Sequence, residues 1–397
     1  MGDVIRRYQD DLLRERGKLV TFAERRVLSA LAACRTAALG GHLEVCDCCG
    51  HQQPVYNSCR NRHCPKCQAA ARAEWLEAQR TDLLPVEYFH VVFTLPESLA
   101  PIVFQNKWQL YDLLFRAASE TLLAVAADPR HLGAKIGFLA VLHTWGQNLT
   151  HHPHLHCVVP GGGLSPDHSR WISCRSGFFL PVRVLSRLFR GKFLAYLRAA
   201  YRAGKLNFRG ELQSLGTVSG FEQLIAKAVR TEWVVHAKPP FGGPEQVLKY
   251  LARYTHRVAI SNDRLLDISN GQVTFRWKDY SAGSRIRTMT VTAIEFLRRF
   301  LLHVLPRGFV RIRHYGLLAN RTRAGLVPLA RRLLKVSQDE TDLGVSADHP
   351  VQVVASAVSR DSARRCPHCA TGQMQITETW PRPPRTPQLP NLSFDSS

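Results

Sequence analysis

Phe138-Leu139-Ala140-Val141-Leu142-His143-Thr144-Trp145 and His154-Leu155-His156-Cys157-Val158-Val159 decide the reading of this chain. Both are short, apolar and rich in residues that favour strands. The polar stretch from Gly146 to Pro153 separates them, and Pro160 with three glycines closes the second. The pair reads as an antiparallel hairpin, although the first run could also be a buried helix. On a strand, residues i and i+2 share a face. His154 and His156 therefore project together, and Leu155 points the other way into a core. Two imidazoles on one face can meet one divalent ion and leave positions for phosphate oxygens and water.

Working outward, Tyr88–Leu95 reads as another strand, and residues 105–127 and 184–203 as helices. Phe221–His236 reads as one helix ended by Lys238-Pro239-Pro240. Residues 264–277 read as two strands about Asn270-Gly271, and Thr288–Leu302 as a strand passing into a helix. Residues 1–40 carry apolar side chains at helical spacing. The last residues, Pro381–Ser397, hold five prolines and read as disordered.

The chain has 397 residues, of which 53 are Lys or Arg and 31 Asp or Glu, a formal charge of +22. A hydrophobic fraction of 45% fits a globular chain and excludes a wholly disordered basic one. Such a positive excess calls for a polyanionic partner, nucleic acid before membrane. No stretch reaches the roughly 18 apolar residues of a membrane span. The charged first sixteen residues argue against a signal peptide. The expected location is the cytoplasm, in association with the nucleoid.

The 11 cysteines are unevenly placed. Cys46-x-x-Cys49 and Cys64-x-x-Cys67, 14 residues apart, can arrange four sulfurs around one Zn²⁺. Cys48, Cys59 and His63 lie close enough to complicate that set, and Cys48 is read as an unliganded thiol. Arg60, Arg62 and Lys66 give the module a basic surface for phosphates. Cys366-Pro367-His368-Cys369 is half of a ribbon. It would bind metal with His368, with a distant ligand or across a dimer, or bind nothing.

The third ligand beside His154 and His156 is open. Gln147 is preferred for its carbonyl oxygen, suited to Mg²⁺ or Mn²⁺; His143 and His90 are the alternatives. Tyr250-Leu251-Ala252-Arg253-Tyr254 places two phenols at i and i+4, on one helical face. Lys249, Arg253 and Arg257 beside them would favour phenolate, a nucleophile for phosphorus. The same spacing also suits an aromatic pair packed on a core or stacked on bases.

The cysteine cluster, His152-Pro153-His154-Leu155-His156 and Tyr250–Tyr254, in that order, resemble the rolling-circle insertion-sequence transposases with two catalytic tyrosines, of the HUH endonuclease class. The likeness spans about residues 10–325 and takes in Asn57–Pro65, Phe89–Pro96, Trp277–Tyr280 and Arg311–Gly316; the Cys366–Cys369 pair fits it too. It implies an α+β fold, an HUH-like antiparallel sheet with the His pair on a central strand and packed helices. A helical segment and a zinc-ribbon-like module precede that sheet. It implies catalytic roles for Tyr250 and Tyr254, a Mg²⁺ or Mn²⁺ ion on His154 and His156, and structural zinc. The expected partners are single-stranded DNA at element ends and targets, with a host helicase and polymerase, since no Gly-x-x-x-x-Gly-Lys-Ser/Thr loop is present. The division of the chain is 1–42 helical, 43–84 zinc-binding, 85–295 nuclease, 296–335 basic and DNA-contacting, and 336–397 a polar tail with the Cys366–Cys369 knuckle. The basic region includes Arg311 and Arg313 as expected phosphate contacts. A plasmid relaxase or replication initiator of the same chemistry, or a non-catalytic zinc-ribbon regulator, are the competing readings.

Overall fold

A computed structural model describes residues 1–80, 82–238, 259–279, 283, 285–334 and 364–384. In chain order the elements begin with α1 (Gly2–Arg16), α2 (Phe22–Ala32), β1 (Gly41–Cys46), β2 (Gln52–Tyr56), α3 (Pro65–Arg80) and β3 (Tyr88–Thr94). They continue with α4 (Ala100–Gln105), α5 (Lys107–Ala127), β4 (Gly137–Trp145), β5 (His151–Pro160), β6 (Gly162–Leu164) and β7 (Trp171–Ser173). Next come α6 (Val182–Arg202), α7 (Val218–Arg230), β8 (Val235–Lys238), β9 (Leu265–Ser269), β10 (Gln272–Asp279) and β11 (Arg285–Thr292). The last described elements are α8 (Ala293–Leu301), β12 (Ile312–Gly316), α9 (Arg323–Leu333), β13 (Arg364–Arg365) and β14 (Gln373–Trp380). This is a mixed helical and antiparallel-sheet protein. Among the described residues no helix is long and apolar enough to cross a membrane.

The main sheet has the order β12-β4-β5-β3-β8, all antiparallel, with β5 in the middle. Alternation sorts its side chains into two faces. Leu155, Cys157 and Val159 of β5, with Phe89, Val91 and Phe93 of β3, join one core with α5, α6 and α7. Phe189 and Phe193 of α6 are fully buried there. The opposite face carries Leu139, Val141 and Val158 at one end and histidines at the other.

The helical reading of 221–236 is half right. The helix stops at Arg230, and Val235–Lys238 becomes the β8 strand on the end of the sheet. Between them the Trp233 indole donates to the Ala228 carbonyl at 2.9 Å and packs edge-on against Phe189. The helical pattern of residues 1–40 is likewise two helices. Thr21 caps α2, its hydroxyl accepting from the Glu24 amide while the Glu24 carboxylate accepts from the Thr21 amide.

The N-terminal helices do not stand apart. Val4, Ile5, Leu12 and Leu28 share a core with Val273 and Phe275 of β10 and with Phe296, Leu297 and Phe300 of α8. A further sheet, β13-β14-β1-β2, joins the two ends of the chain, with β14 paired to β1 from Gly41↔Trp380 to Cys46↔Met374.

Candidate metal centres and nucleic-acid surface

Antiparallel pairing of β4 with β5 sets His143 opposite His154 and Val141 opposite His156. The metal-binding nitrogens of His143, His154 and His156 fall within 4.8 Å of one another. His143 and His156 are buried, and His154 is half-buried. His154 Nδ1 donates to the His152 carbonyl oxygen at 2.7 Å, which leaves the lone pair on Nε2. His156 Nδ1 lies 2.7 Å from His90 Nε2, with the two rings stacked. Burial pushes His154 down to about 4. Burial first, then the Lys238 ammonium, pushes His90 down to about 3. His156 is held well below its ordinary value by burial and then by His143. Neutral imidazoles, with the ring at 154 fixed by its own backbone, fit a divalent metal ion.

Gln147, the preferred third ligand of the sequence reading, lies in the turn beyond β4, where its main-chain carbonyl oxygen accepts from the Arg264 guanidinium at 2.5 Å. His143, the alternative, is the residue that the pairing register brings to the His pair. Tyr250, Tyr254, Lys249, Arg253 and Arg257 lie outside the described residues.

The cysteines divide differently from the expected single site. Cys34, Cys59, Cys64 and Cys67 form one group, and Cys46, Cys49, Cys366 and Cys369 another. Cys64-x-x-Cys67 opens α3, whereas Cys46-x-x-Cys49 ends β1, so the two motifs sit in different substructures. In the first group Cys34–Cys67, Cys59–Cys67 and Cys34–Cys64 are each 3.6 Å apart. In the second, Cys46–Cys369 and Cys49–Cys366 are 3.7 Å apart. A tetrahedron with Zn–S of about 2.3 Å has sulfur–sulfur edges of about 3.8 Å, whereas a disulfide needs about 2.05 Å. One thiol in each group is pushed down to about 5: Cys64 through its hydrogen bond with Cys59, and Cys369 through that with the Thr371 hydroxyl. Cys34 escaped the sequence reading because it sits alone in a helical stretch with no second cysteine at knuckle spacing. His63 lies outside both thiol groups: its Nε2 accepts from the Leu305 amide at 3.2 Å and its Nδ1 lies 3.0 Å from Asn61 Oδ1.

Several of the arginines expected on DNA turn inward. Arg62 donates to the carbonyls of Phe309 at 2.7 Å and Pro306 at 2.6 Å. Arg311 is buried and donates to Gln68 at 3.1 Å. Arg313 pairs with Asp112 at 2.8 Å and stacks over Phe115. The 296–335 region is free of acids in sequence, yet Glu295 pairs with both Arg298 and Arg299, Asp112 with Arg313 and Asp82 with Arg323 in space. Arg60 and Lys66 are exposed, as expected.

The sequence reading missed a groove of about 660 Å³ along α6 and the start of β8, lined by Arg183, Arg187, Arg190, Glu232 and His236. Arg183 and Arg187 are exposed. Val92 lies opposite both His156 and His236, so His236 stands in the same cross-strand row as the histidine cluster. Two strand spacings separate the rows' ends, about 10 Å.

Residues 137–325 match the family described as "Putative transposase" (Y2_Tnp), and residues 4–95 the family described as "Transposase zinc-binding domain" (Zn_Tnp_IS91). The chain is 57% identical over 386 residues to "Putative transposase y4qJ" of Sinorhizobium fredii, across 95% of this chain and 94% of that one. It is 29% identical over 313 residues to "Transposase for insertion sequence element IS801" of Pseudomonas savastanoi pv. phaseolicola, across 78% and 74%. No solved structure matches the chain. The zinc-binding match and the two thiol groups together support structural zinc.

Proposed function

The chain belongs to the IS91-type insertion-sequence transposases, and on that premise we propose that it cleaves and rejoins single-stranded DNA through a 5′-phosphotyrosine intermediate, in rolling-circle transposition. The observation that carries this reading is the convergence of His143, His154 and His156 on the face of the central strands opposite the α5–α7 core. The relatives' names favour a transposase over a relaxase, a replication initiator or a non-catalytic regulator.

His143, His154 and His156 would hold Mg²⁺ or Mn²⁺, with the His152 carbonyl and His90 fixing two of the rings. When bound, the ion supplies Lewis-acid stabilisation of the charge that develops on the non-bridging phosphate oxygens. Tyr250 or Tyr254, its phenolate favoured by Lys249, Arg253 and Arg257, attacks the phosphorus in line. The tyrosine O–P bond forms, the P–O3′ bond breaks, and the departing oxygen takes up a proton to become a free 3′-OH. Attack by a new 3′-OH reverses these steps and returns the tyrosine. The ester keeps the energy of the phosphodiester, so rejoining needs no nucleotide triphosphate. A second tyrosine allows a second cut while the first still holds an end. Strand separation and copying fall to a host helicase and polymerase.

The single strand is proposed to leave the histidine cluster across β3, pass His236 and enter the groove beside Arg183 and Arg187. Exposed cations there hold phosphates without reading sequence.

The test is incubation of the full chain with labelled single-stranded element ends and Mg²⁺ or Mn²⁺, followed by denaturing electrophoresis. A covalent protein–DNA band is expected from wild type, and none from Y250F/Y254F or from H154A. Absence of a band with any end, in either metal, overturns the nuclease reading. A band surviving in the double tyrosine variant overturns the nucleophile assignment, and one surviving in H154A overturns the metal assignment.

A further inference from the structure

The Cys46–Cys369 group draws its ligands from chain segments more than three hundred residues apart. The zinc-binding family match ends at residue 95 and does not reach Cys366 or Cys369. The two halves are nevertheless built alike. In Cys46–Gly50 the amide of Gly50 donates to the Cys46 carbonyl at 3.1 Å, and in Cys366–Ala370 the amide of Ala370 donates to the Cys366 carbonyl at 3.0 Å. The fifth residue of each turn is left-handed, Gly50 at φ 68° and Ala370 at φ 58°. An alanine rarely adopts that conformation without surrounding structure to impose it.

Backbone amides point at the sulfurs in both halves. Cys48 and Cys49 donate to Cys46 Sγ at 3.4 and 3.5 Å, His368 to Cys366 Sγ at 3.3 Å, and Gly372 to Cys369 Sγ at 3.3 Å. Donors aimed at sulfur favour the thiolate, the form that binds metal. Gly372 seats one half on the other: a Cβ there would collide with Cys46 Sγ and lie 2.6 Å from Cys48 Cβ. The Gln373 amide donates to Asp47 Oδ1 at 2.8 Å, and the Asp47 amide returns a bond to the Gln373 carbonyl at 3.1 Å. The rings of His51 and His368 stack beside the turns at 5.5 Å.

We propose that Cys46, Cys49, Cys366 and Cys369 bind a zinc ion of their own, separate from an ion on Cys34, Cys59, Cys64 and Cys67, and that this ion clasps the C-terminal hairpin to the N-terminal module. Each knuckle supplies two thiolates, so neither alone fills a tetrahedral shell. The protein thus carries two structural zinc ions per chain. The second closes a ring that contains most of the polypeptide. Because β14 is the inner neighbour of β1, the N-terminal sheet is complete only when the C-terminal hairpin is docked. The inference does not depend on the cleavage chemistry.

The test uses zinc-loaded full-length protein. Zinc per chain is counted by elemental analysis, and cysteines are alkylated with iodoacetamide before and after chelation, with each site located by mass spectrometry. Two zinc ions per chain are expected. Cys46, Cys49, Cys366 and Cys369 should be protected until chelation and become reactive together, while exposed Cys48 labels from the start. In C366S/C369S the count should fall to one. A single zinc in wild type, or Cys366 and Cys369 labelling as fast as Cys48 in the loaded protein, overturns the proposal. Two zinc ions retained by the double variant overturn it as well. The wild-type measurements decide the matter even if the variant does not fold.

Discussion

His143 on β4 stands directly across from His154 on β5, their rings meeting edge to face with centroids 5.4 Å apart. Strand register, not closeness along the chain, is what brings His143 to the His pair, and a metal there would take it as third ligand. His143→Ala should weaken Mn²⁺ binding about 100-fold or more and abolish the covalent adduct. Gln147→Ala should bind Mn²⁺ within about twofold of wild type; the marker for scale is the 10–100-fold typical of losing even an outer-shell partner. Mn²⁺ titration followed by electron paramagnetic resonance measures both. The opposite ranking would return the role to Gln147.

That register was out of reach of the sequence. Alternation identified β4 and β5 and put His154 and His156 on one face. The pairing slips between His143 and Trp145, however, and the polar turn gives no sign of that irregularity. Cys34 was hidden for a related reason: its partners arrive through the packing of a loop on a helix end, with no spacing rule behind it. The acids that neutralise Arg313 and Arg323 were hidden by distance, since Asp112 and Asp82 lie more than 200 residues away in sequence. What local pattern could reveal, such as the strand at Tyr88–Thr94, the Asn270-Gly271 turn and the strand-to-helix passage at Thr292, is where the pattern put it.

His90 should behave as a positioning residue. With the metal on His156 Nε2, the Nδ1–H of His156 donates to His90 Nε2 across their 2.7 Å separation. His90→Ala should weaken Mn²⁺ binding about 10–100-fold. His90→Gln, which offers an acceptor oxygen, should recover much of that loss. Equal loss in both variants would mark the effect as packing alone. Calorimetric titration with Mn²⁺ separates these outcomes.

Stability should fall as the solution is acidified below about pH 6.5. Burial holds His63, His151 and His303 at about 3. Their pKa values are depressed on folding, so below the unfolded value the unfolded chain binds more protons. The contribution is full above about 6.5 and is lost as pH falls toward 3. Each fully titrating histidine contributes a slope of roughly 1.4 kcal/mol per pH unit. Urea unfolding of the zinc-loaded protein at pH 7, 6 and 5.5 should show progressively lower midpoints. A flat profile would mean that these rings are protonated in the folded state.

Arginines should sort by what they touch. Arg62→Ala removes the donor to the Phe309 and Pro306 carbonyls. It should cost on the order of 1–3 kcal/mol of stability and leave the salt dependence of DNA binding unchanged. Arg183→Gln with Arg187→Gln should do the reverse. Melting should hardly move, while the slope of log K against log salt should flatten by about 1.4, near 0.7 for each single-strand phosphate left without its cation. Fluorescence anisotropy with a labelled oligonucleotide across a salt series reads this directly. An unchanged slope in the double variant would place the DNA elsewhere.

The pairing of β14 with β1 also sets a clock on synthesis. At translation rates of roughly 5–20 residues per second, the strand that completes the first sheet leaves the ribosome on the order of tens of seconds after its partner. Until then β1 has one neighbour, and the Cys46–Cys49 turn has half a ligand shell. A message broken or stalled anywhere before Cys366 yields a polypeptide whose first sheet stays unfinished, however much of its remaining sequence has been made. Products that stop before Cys366 would thereby differ from longer ones at the beginning of the chain, in the sheet built on β1.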